Sequence, residues 1–241
     1  MSEQSPLTIV LVHGAFADGS SWNGVIERVL ARDIQVTAPP NPLRGIVYDS
    51  AYVESVIEQI DGPVLAVGHS YGGAVISNVT SDNVVGLVFV AAFATDEDEA
   101  LGEVTPTSKD SVLNAALAPR KYPQGTEFAI AADKFRDAFA ADLPPAQTAL
   151  MVATQRPIAE TAFSEKSGPP AWKSLPSWAV VATGDKAAGA DLIRSMAERA
   201  GATITEVQGS HVIMISQPEA VAEVILTAAA AVGEPAPATA H

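Results

Sequence analysis

The amino-acid sequence predicts an α/β fold: a mostly parallel sheet of about six strands, flanked by helices and interrupted by one long insertion. Three observations carry this. Short β-branched apolar runs alternate with segments of helical spacing, the pattern of βα units whose crossover helices cover both faces of a parallel sheet. The chain has 241 residues, 48% hydrophobic and 17% charged, enough to bury one sizeable core. The alternation stops after residue 94 and resumes at residue 177.

Taken in order, residues 8–13 form a short β-branched run suited to a strand buried on both faces. Ser20 or Ser21 can cap a helix running to about Ala31. Residues 34–38 read as the next strand, ended by Pro39-Pro40, and residues 52–60 have helical spacing with Asp49 or Ser50 as cap. Residues 63–68 read as a strand, 72–79 as a helix and 84–93 as a long apolar strand. From 95 to 176 no comparable run occurs. Helical patches at 131–140 and 146–154 stand between Pro119, Pro123, Pro144-Pro145, Pro157 and Pro169-Pro170. That stretch is too long for a loop and predicts a helical cap over one end of the sheet, inserted after the strand ending near Phe93. Strands at 178–183 and 203–207 bracket a helix at 191–200 closed by Gly201. A last helix spans 217–231, with Pro218 in its first turn. The expected organisation is a core of residues 1–94 and 177–232, a cap of 95–176, and a disordered tail of 233–241 containing Pro235 and Pro237.

Composition removes several classes of function. Acidic side chains outnumber basic ones 28 to 14, a formal net charge of −14, so the surface repels phosphate and no nucleic-acid partner is expected. The run Asp96-Glu97-Asp98-Glu99 reads as a solvated face. The absence of cysteine excludes disulfides, thiolate metal sites and a cysteine nucleophile. Neither H-E-x-x-H nor comparable metal spacing occurs, nor does a dinucleotide or P-loop glycine pattern. No apolar run approaches the roughly 20 residues that span a bilayer. With a polar N-terminus, this predicts a cytoplasmic protein without a membrane partner.

One motif carries chemistry. Gly68-His69-Ser70-Tyr71-Gly72 fits G-x-S-x-G and falls between a predicted strand and a predicted helix. There a serine sits on a sharp turn with its hydroxyl projecting from the sheet edge, and small neighbours let backbone approach. A hydroxyl needs a base to become a nucleophile. Of the four histidines, His241 ends the tail, His69 adjoins the serine and points inward, and His13 ends the first strand as a support for its loop. His211, in the loop after the last strand, remains as general base. A carboxylate must fix its tautomer. Asp185 follows the strand at 178–183 at the same sheet edge, with Asp96 and Asp98 as competitors. The developing oxyanion needs backbone donors: Tyr71 N–H, and Ala15 or Phe16 N–H from the loop His13-Gly14-Ala15-Phe16. The apolar cap residues Phe128, Phe135, Phe139, Met151 and Phe163 are candidates to line a substrate pocket, but each read alone fits core packing better, and they are left out of the site.

With these residues placed, the chain resembles the α/β-hydrolase superfamily from Thr8 to Ala231. More narrowly it resembles the small-molecule esterase branch that includes plant methylesterases and hydroxynitrile lyases. The resemblance is carried by Leu11-Val12-His13-Gly14-Ala15 with Ser21-Trp22, by Gly68-His69-Ser70-Tyr71-Gly72-Gly73, by Thr183-Gly184-Asp185-Lys186, and by Gly209-Ser210-His211. It implies the α/β-hydrolase fold, with the sheet starting at the third strand of the larger fold. It also implies acyl transfer through an acyl-serine intermediate, without metal or organic cofactor. Hydroxynitrile lyases of the branch carry a lysine after the catalytic histidine and a threonine after the first-loop histidine. Here those positions hold Val212 and Gly14, which favours hydrolysis. Haloalkane dehalogenases carry Asp at the nucleophile position, which Ser70 excludes. The expected function is hydrolysis of a small, fairly apolar carboxylic ester by Ser70, Asp185 and His211. Lyase chemistry, or a ligand receptor without turnover, are the alternatives.

Overall fold

A computed structural model describes residues 5–233. Its larger sheet has six strands in the order β2-β1-β3-β4-β8-β9, and every neighbouring pair is parallel. The strands are β1 (Thr8–Val12), β2 (Gln35–Thr37), β3 (Val64–His69), β4 (Val84–Val90), β8 (Ser177–Ala182) and β9 (Thr203–Val207). The central strands β1 and β3 are buried along their whole length, which explains their unbroken apolar sequences. The edge strands β2 and β9 are half-exposed, so polar Gln35, Thr205 and Glu206 are tolerated there.

Helices α1 (Asn23–Leu30), α2 (Ile46–Ile57), α3 (Tyr71–Ser77), α9 (Ala190–Arg199) and α11 (Pro218–Gly233), the last preceded by the single turn α10 (Ile213–Ser216), form the crossovers and final packing layer. Two caps differ from expectation. A 3-10 turn, Gly19–Trp22, precedes α1, and its cap is Asp18, whose carboxylate accepts Ser20 N–H. Helix α2 starts at Ile46, so Asp49 lies inside it. That carboxylate turns back to accept Arg44 and Gly45 N–H, just ahead of the helix. The helix α9 does end as expected, with Gly201 at φ 65°.

The segment between β4 and β8 differs most from its expectation. It holds short helices α4 (Leu101–Val104), α5 (Leu113–Ala116), α6 (Phe135–Phe139), α7 (Pro145–Thr154) and α8 (Thr161–Ser164). It also holds a three-stranded antiparallel sheet: β5 (Leu117–Tyr122), β6 (Gly125–Ile130) and β7 (Ile158–Ala159). The insertion is therefore mixed rather than all helical, and the helical patch at 131–140 shrinks to α6. Pro119 is compatible with a strand because β5 lies at the edge of this sheet. Of the tail expected at 233–241, Gly233 closes α11, and residues 234–241 lie outside the described residues. Among the described residues no helix is long and apolar enough to cross a membrane.

Candidate active site

Parallel strands end on one edge, so the loops after β1, β3, β8 and β9 converge there. The turn between β3 and α3 puts Ser70 at φ 53°, ψ −122°, a region an L residue occupies at a cost of about 1–3 kcal/mol. Hydrogen bonds hold it: Ser70 N–H donates to Val90 O (3.3 Å), and Ser70 O accepts Gly73 N–H (2.9 Å) and Phe93 N–H (3.2 Å). The turn closes so tightly that a Cβ at Gly68 would come within 2.6 Å of the Gly73 nitrogen. This is why small residues flank the serine.

His211 follows β9 and Asp185 follows β8. Backbone bonds Thr183 N–H to Val207 O and Gly184 N–H to Gly209 O, both 2.9 Å, zip the two loops together. His211 Nδ1 lies 2.7 Å from Asp185 Oδ2, and the two residues are only 1% and 2% exposed. The other carboxylate oxygen, Oδ1, accepts Ala187 N–H (2.8 Å) and Ala188 N–H (3.1 Å). The carboxylate is thus fixed at both oxygens, the imidazole proton sits on Nδ1, and the Nε2 lone pair is left for other chemistry. The competing acids lie elsewhere: Asp96 pairs with Lys173 Nζ at 2.5 Å, and Asp98 is exposed.

The loop after β1 abuts the serine, since a Cβ on Gly14 would stand 2.6 Å from Ser70 Cβ. His13 braces this loop. Its Nε2 accepts Asn41 N–H (2.9 Å), so its Nδ1 carries the proton and donates to Gly14 O (2.9 Å). Burial pushes the His13 pKa down to about 4, keeping the ring neutral. The two candidate donors of the loop differ. Phe16 N–H donates to Arg156 O at 2.9 Å, whereas among the described residues Ala15 N–H has no backbone acceptor. Tyr71, the residue after Ser70, begins α3, so its N–H is one of the free donors of a first turn. Its hydroxyl donates to Asp49 Oδ2 at 2.8 Å, and burial pushes the pKa of both Tyr71 and Asp49 up, disfavouring their charged forms.

His69 packs against His211, with ring centroids 4.8 Å apart, and its Nε2–H donates to His211 O at 3.0 Å. Burial, then the neighbouring His211 ring, drives its pKa well below the ordinary value. Phe139, from the insertion, covers the other side. Its ring lies 5.1 Å from the His211 ring and 5.9 Å, edge-on, from Phe16. Ser70 itself is 7% exposed. Among the described residues no hydrogen bond joins Ser70 to His211. Bonds of that kind commonly tighten only with substrate bound. A cleft of about 330 Å³ lies between Ala17, Asp18, Gln147, Met151 and Ile215, and none of the site residues described above lines it.

Ser70, Tyr71, Ala15, Phe16, Asp185 and His211 therefore share one sheet edge. Phe139, Asp49 and Asp142, which accepts from Ser210, lie against them; the sequence offers Asp49 only as a helix cap and Phe139 only as a cap aromatic, and gives no sign of Asp142. Phe139 was grouped with core aromatics, and it is indeed buried. No spacing relates it to His211, because the contact depends on how the insertion folds back.

The Alpha/beta hydrolase family model matches residues 9–224. An extracellular alpha/beta-hydrolase from a Paenibacillus species, described as sharing structural and functional homology with tobacco salicylic acid binding protein 2, superposes with a TM-score of 0.78. It is 22% identical, over 95% of this chain and 100% of its own. A pyrethroid hydrolase from Sphingobium faniae gives 0.77 at 21% identity, over 94% of this chain and 98% of its own. A methylesterase from Arabidopsis gives 0.77 at 17% identity, over 93% and 99%. At these identities the likeness establishes a shared fold. No curated protein sequence matches the chain.

Proposed function

Because the chain belongs to the alpha/beta hydrolase family, we propose that it hydrolyses small, fairly apolar carboxylic esters through an acyl-serine intermediate. The observation that carries this reading is the fixed pair of Asp185 Oδ2 and His211 Nδ1, 2.7 Å apart, beside a serine held on a strained strand-to-helix turn. His211 Nε2 takes the Ser70 hydroxyl proton while Oγ attacks the ester carbonyl. The tetrahedral oxyanion accepts from Tyr71 N–H and Ala15 N–H, each donor worth about 10²–10³ in rate. Ala15 is preferred over Phe16 because the Phe16 donor is engaged by Arg156. The C–O bond breaks, the alcohol leaves with the proton from His211, and the acyl group stays on Ser70. His211 then takes a proton from water, which attacks the acyl carbonyl; the bond from the acyl carbon to Ser70 Oγ breaks, His211 returns the proton to Oγ, and the acid leaves.

The apolar character of the substrate is supported by the rings of Phe16 and Phe139, which meet beside His211. The named esterase and hydrolase among the structural neighbours fit the same chemistry. Lyase chemistry is disfavoured by Val212, fully buried where a cation would have to hold cyanide. The test is a panel of short p-nitrophenyl esters with the wild type and Ser70→Ala. Ester cleavage lost in the variant is expected. Cleavage that survives it, release of aldehyde from a cyanohydrin without ester cleavage, or saturable ligand binding without turnover would each overturn the reading.

A further inference from the structure

We propose that Asp142, in the insertion, is a positioning residue for the His211 imidazole; this rests on the acyl-serine reading above. Asp142 Oδ2 accepts Ser210 N–H at 2.8 Å, and Oδ1 accepts the Ser210 hydroxyl. His211 is the next residue. Gly209, on the other side of Ser210, lies so close that a Cβ there would stand 2.8 Å from Asp142 Oδ2. The carboxylate is therefore built into the backbone of the base loop. Asp142 is an exposed residue whose carboxylate is partly desolvated against the loop; that works against its ionisation, and the bonds from Ser210 outweigh it, holding the pKa below its ordinary value. Asp142 stays charged at neutral pH and keeps both acceptors available.

The loop is gripped at three points, one of them His69 Nε2–H on His211 O at 3.0 Å. Gly184 N–H holds Gly209 O from the Asp185 side, and Asp142 holds Ser210 from the insertion. Three residues before Asp142, Phe139 lies against the imidazole itself. If Asp142 is removed, a buried N–H loses its acceptor next to a glycine, the residue most able to change its backbone angles. The His211–Asp185 bond fixes the plane of the ring, but the loop backbone fixes how far Nε2 stands from Ser70. A displacement near 1 Å costs on the order of 100-fold in rate. On this account the insertion is part of the machinery, and its docking sets the base.

The experiment uses full-length Asp142→Ala and Asp142→Asn, with Asp191→Ala as control. Asp191 grips Lys109 N–H (2.8 Å) and the Ser108 hydroxyl in the insertion in the same manner, without touching the His211 loop. Two readouts are taken: kcat and KM on a p-nitrophenyl ester, and the downfield proton resonance of the His211 Nδ1–H in NMR spectra. Asp142→Ala is expected to lower kcat by about 10- to 100-fold with KM within about threefold, and to shift or broaden the resonance. Asp142→Asn, which retains an acceptor for Ser210 N–H, should recover part of both. Asp191→Ala should lose thermal stability and leave both unchanged. Normal kcat and an unmoved resonance in Asp142→Ala, or equal kcat losses in Asp142→Ala and Asp191→Ala, would overturn the proposal. If Asp142→Ala fails to fold, Asp142→Asn is judged by the same two readouts. A wild type inert toward esters defeats the acyl-serine reading, and the resonance in the variants then judges the positioning role alone.

Discussion

The hydrogen bond from His211 Nδ1–H to Asp185 decides where the imidazole lone pair points, and Asp185 has no freedom to change it. Its Oδ1 is committed to Ala187 and Ala188 N–H, so only Oδ2 faces the ring. In Asp185→Asn the carbonyl oxygen must stay with those two N–H groups, which turns the amide NH2 toward Nδ1. The proton then moves to Nε2, the wrong nitrogen for a base. We expect kcat to fall by about 10⁴, with KM and folding little changed; a loss under tenfold in ester turnover would show that Asp185 is not the orienting acid. Tyr71 illustrates the opposite case, a side chain beside a reacting backbone. In Tyr71→Phe, Asp49 loses a hydroxyl donor while the Tyr71 N–H is untouched. The expected result is a loss of about 1–3 kcal/mol in urea unfolding, with kcat reduced less than tenfold.

At the scale of elements, the site depends on a turn that only glycine permits at its base. Gly68→Ala would push a methyl into the Gly73 nitrogen and the neighbouring Gly72 carbonyl, which are backbone and cannot rotate away. Such a clash at a strained turn costs more than about 3 kcal/mol. Wild-type thermal stability and activity in that variant would contradict the tight-turn account. This turn was legible in the sequence, as were all six strands of the main sheet: β1, β3, β4 and β8, buried on both faces, leave apolar runs, and the half-exposed edge strands β2 and β9 are short β-branched runs spaced in the same βα rhythm. The hairpin β5–β6 was not legible. Its strands read Leu-Ala-Pro-Arg-Lys-Tyr and Gly-Thr-Glu-Phe-Ala-Ile, half-exposed and poor in β-branched residues. What holds them is tertiary: Glu127, buried, accepts from Arg120 across the hairpin at 2.7 Å and from Arg44 in the core at 2.8 Å. For the same reason the roles of Phe139 and Asp142 could not be read from spacing. The placement of Asp185 and His211 at one sheet edge could, because each directly follows a recognisable strand.

Across the whole molecule, buried neutral histidines tie stability to pH. Unfolded, His13 and His69 take up protons as pH falls through about 6.5. Folded, His13 resists to about 4, and His69 is also held well below its ordinary value by burial. The unfolded state therefore binds more protons below pH 6.5, and these two rings remove up to ~2.7 kcal/mol of stability per pH unit there. Asp49, raised by burial, acts in the opposite sense at lower pH: its folded form takes up a proton before its unfolded form does. The urea midpoint should fall steadily from pH 7 to pH 5, before most carboxylates titrate. A flat midpoint over that range would mean that neither ring is held neutral. The central claim, that Ser70 carries the acyl group, concerns a covalent bond and is most directly tested by trapping it. The wild type is mixed with a slowly deacylating p-nitrophenyl ester, quenched in acid, digested and weighed by mass spectrometry. A burst of p-nitrophenol matching the enzyme concentration, with the acyl mass on the peptide containing Ser70 and absent in Ser70→Ala, is the predicted result. Turnover with no acylated peptide, or an acyl group on another residue, would contradict it.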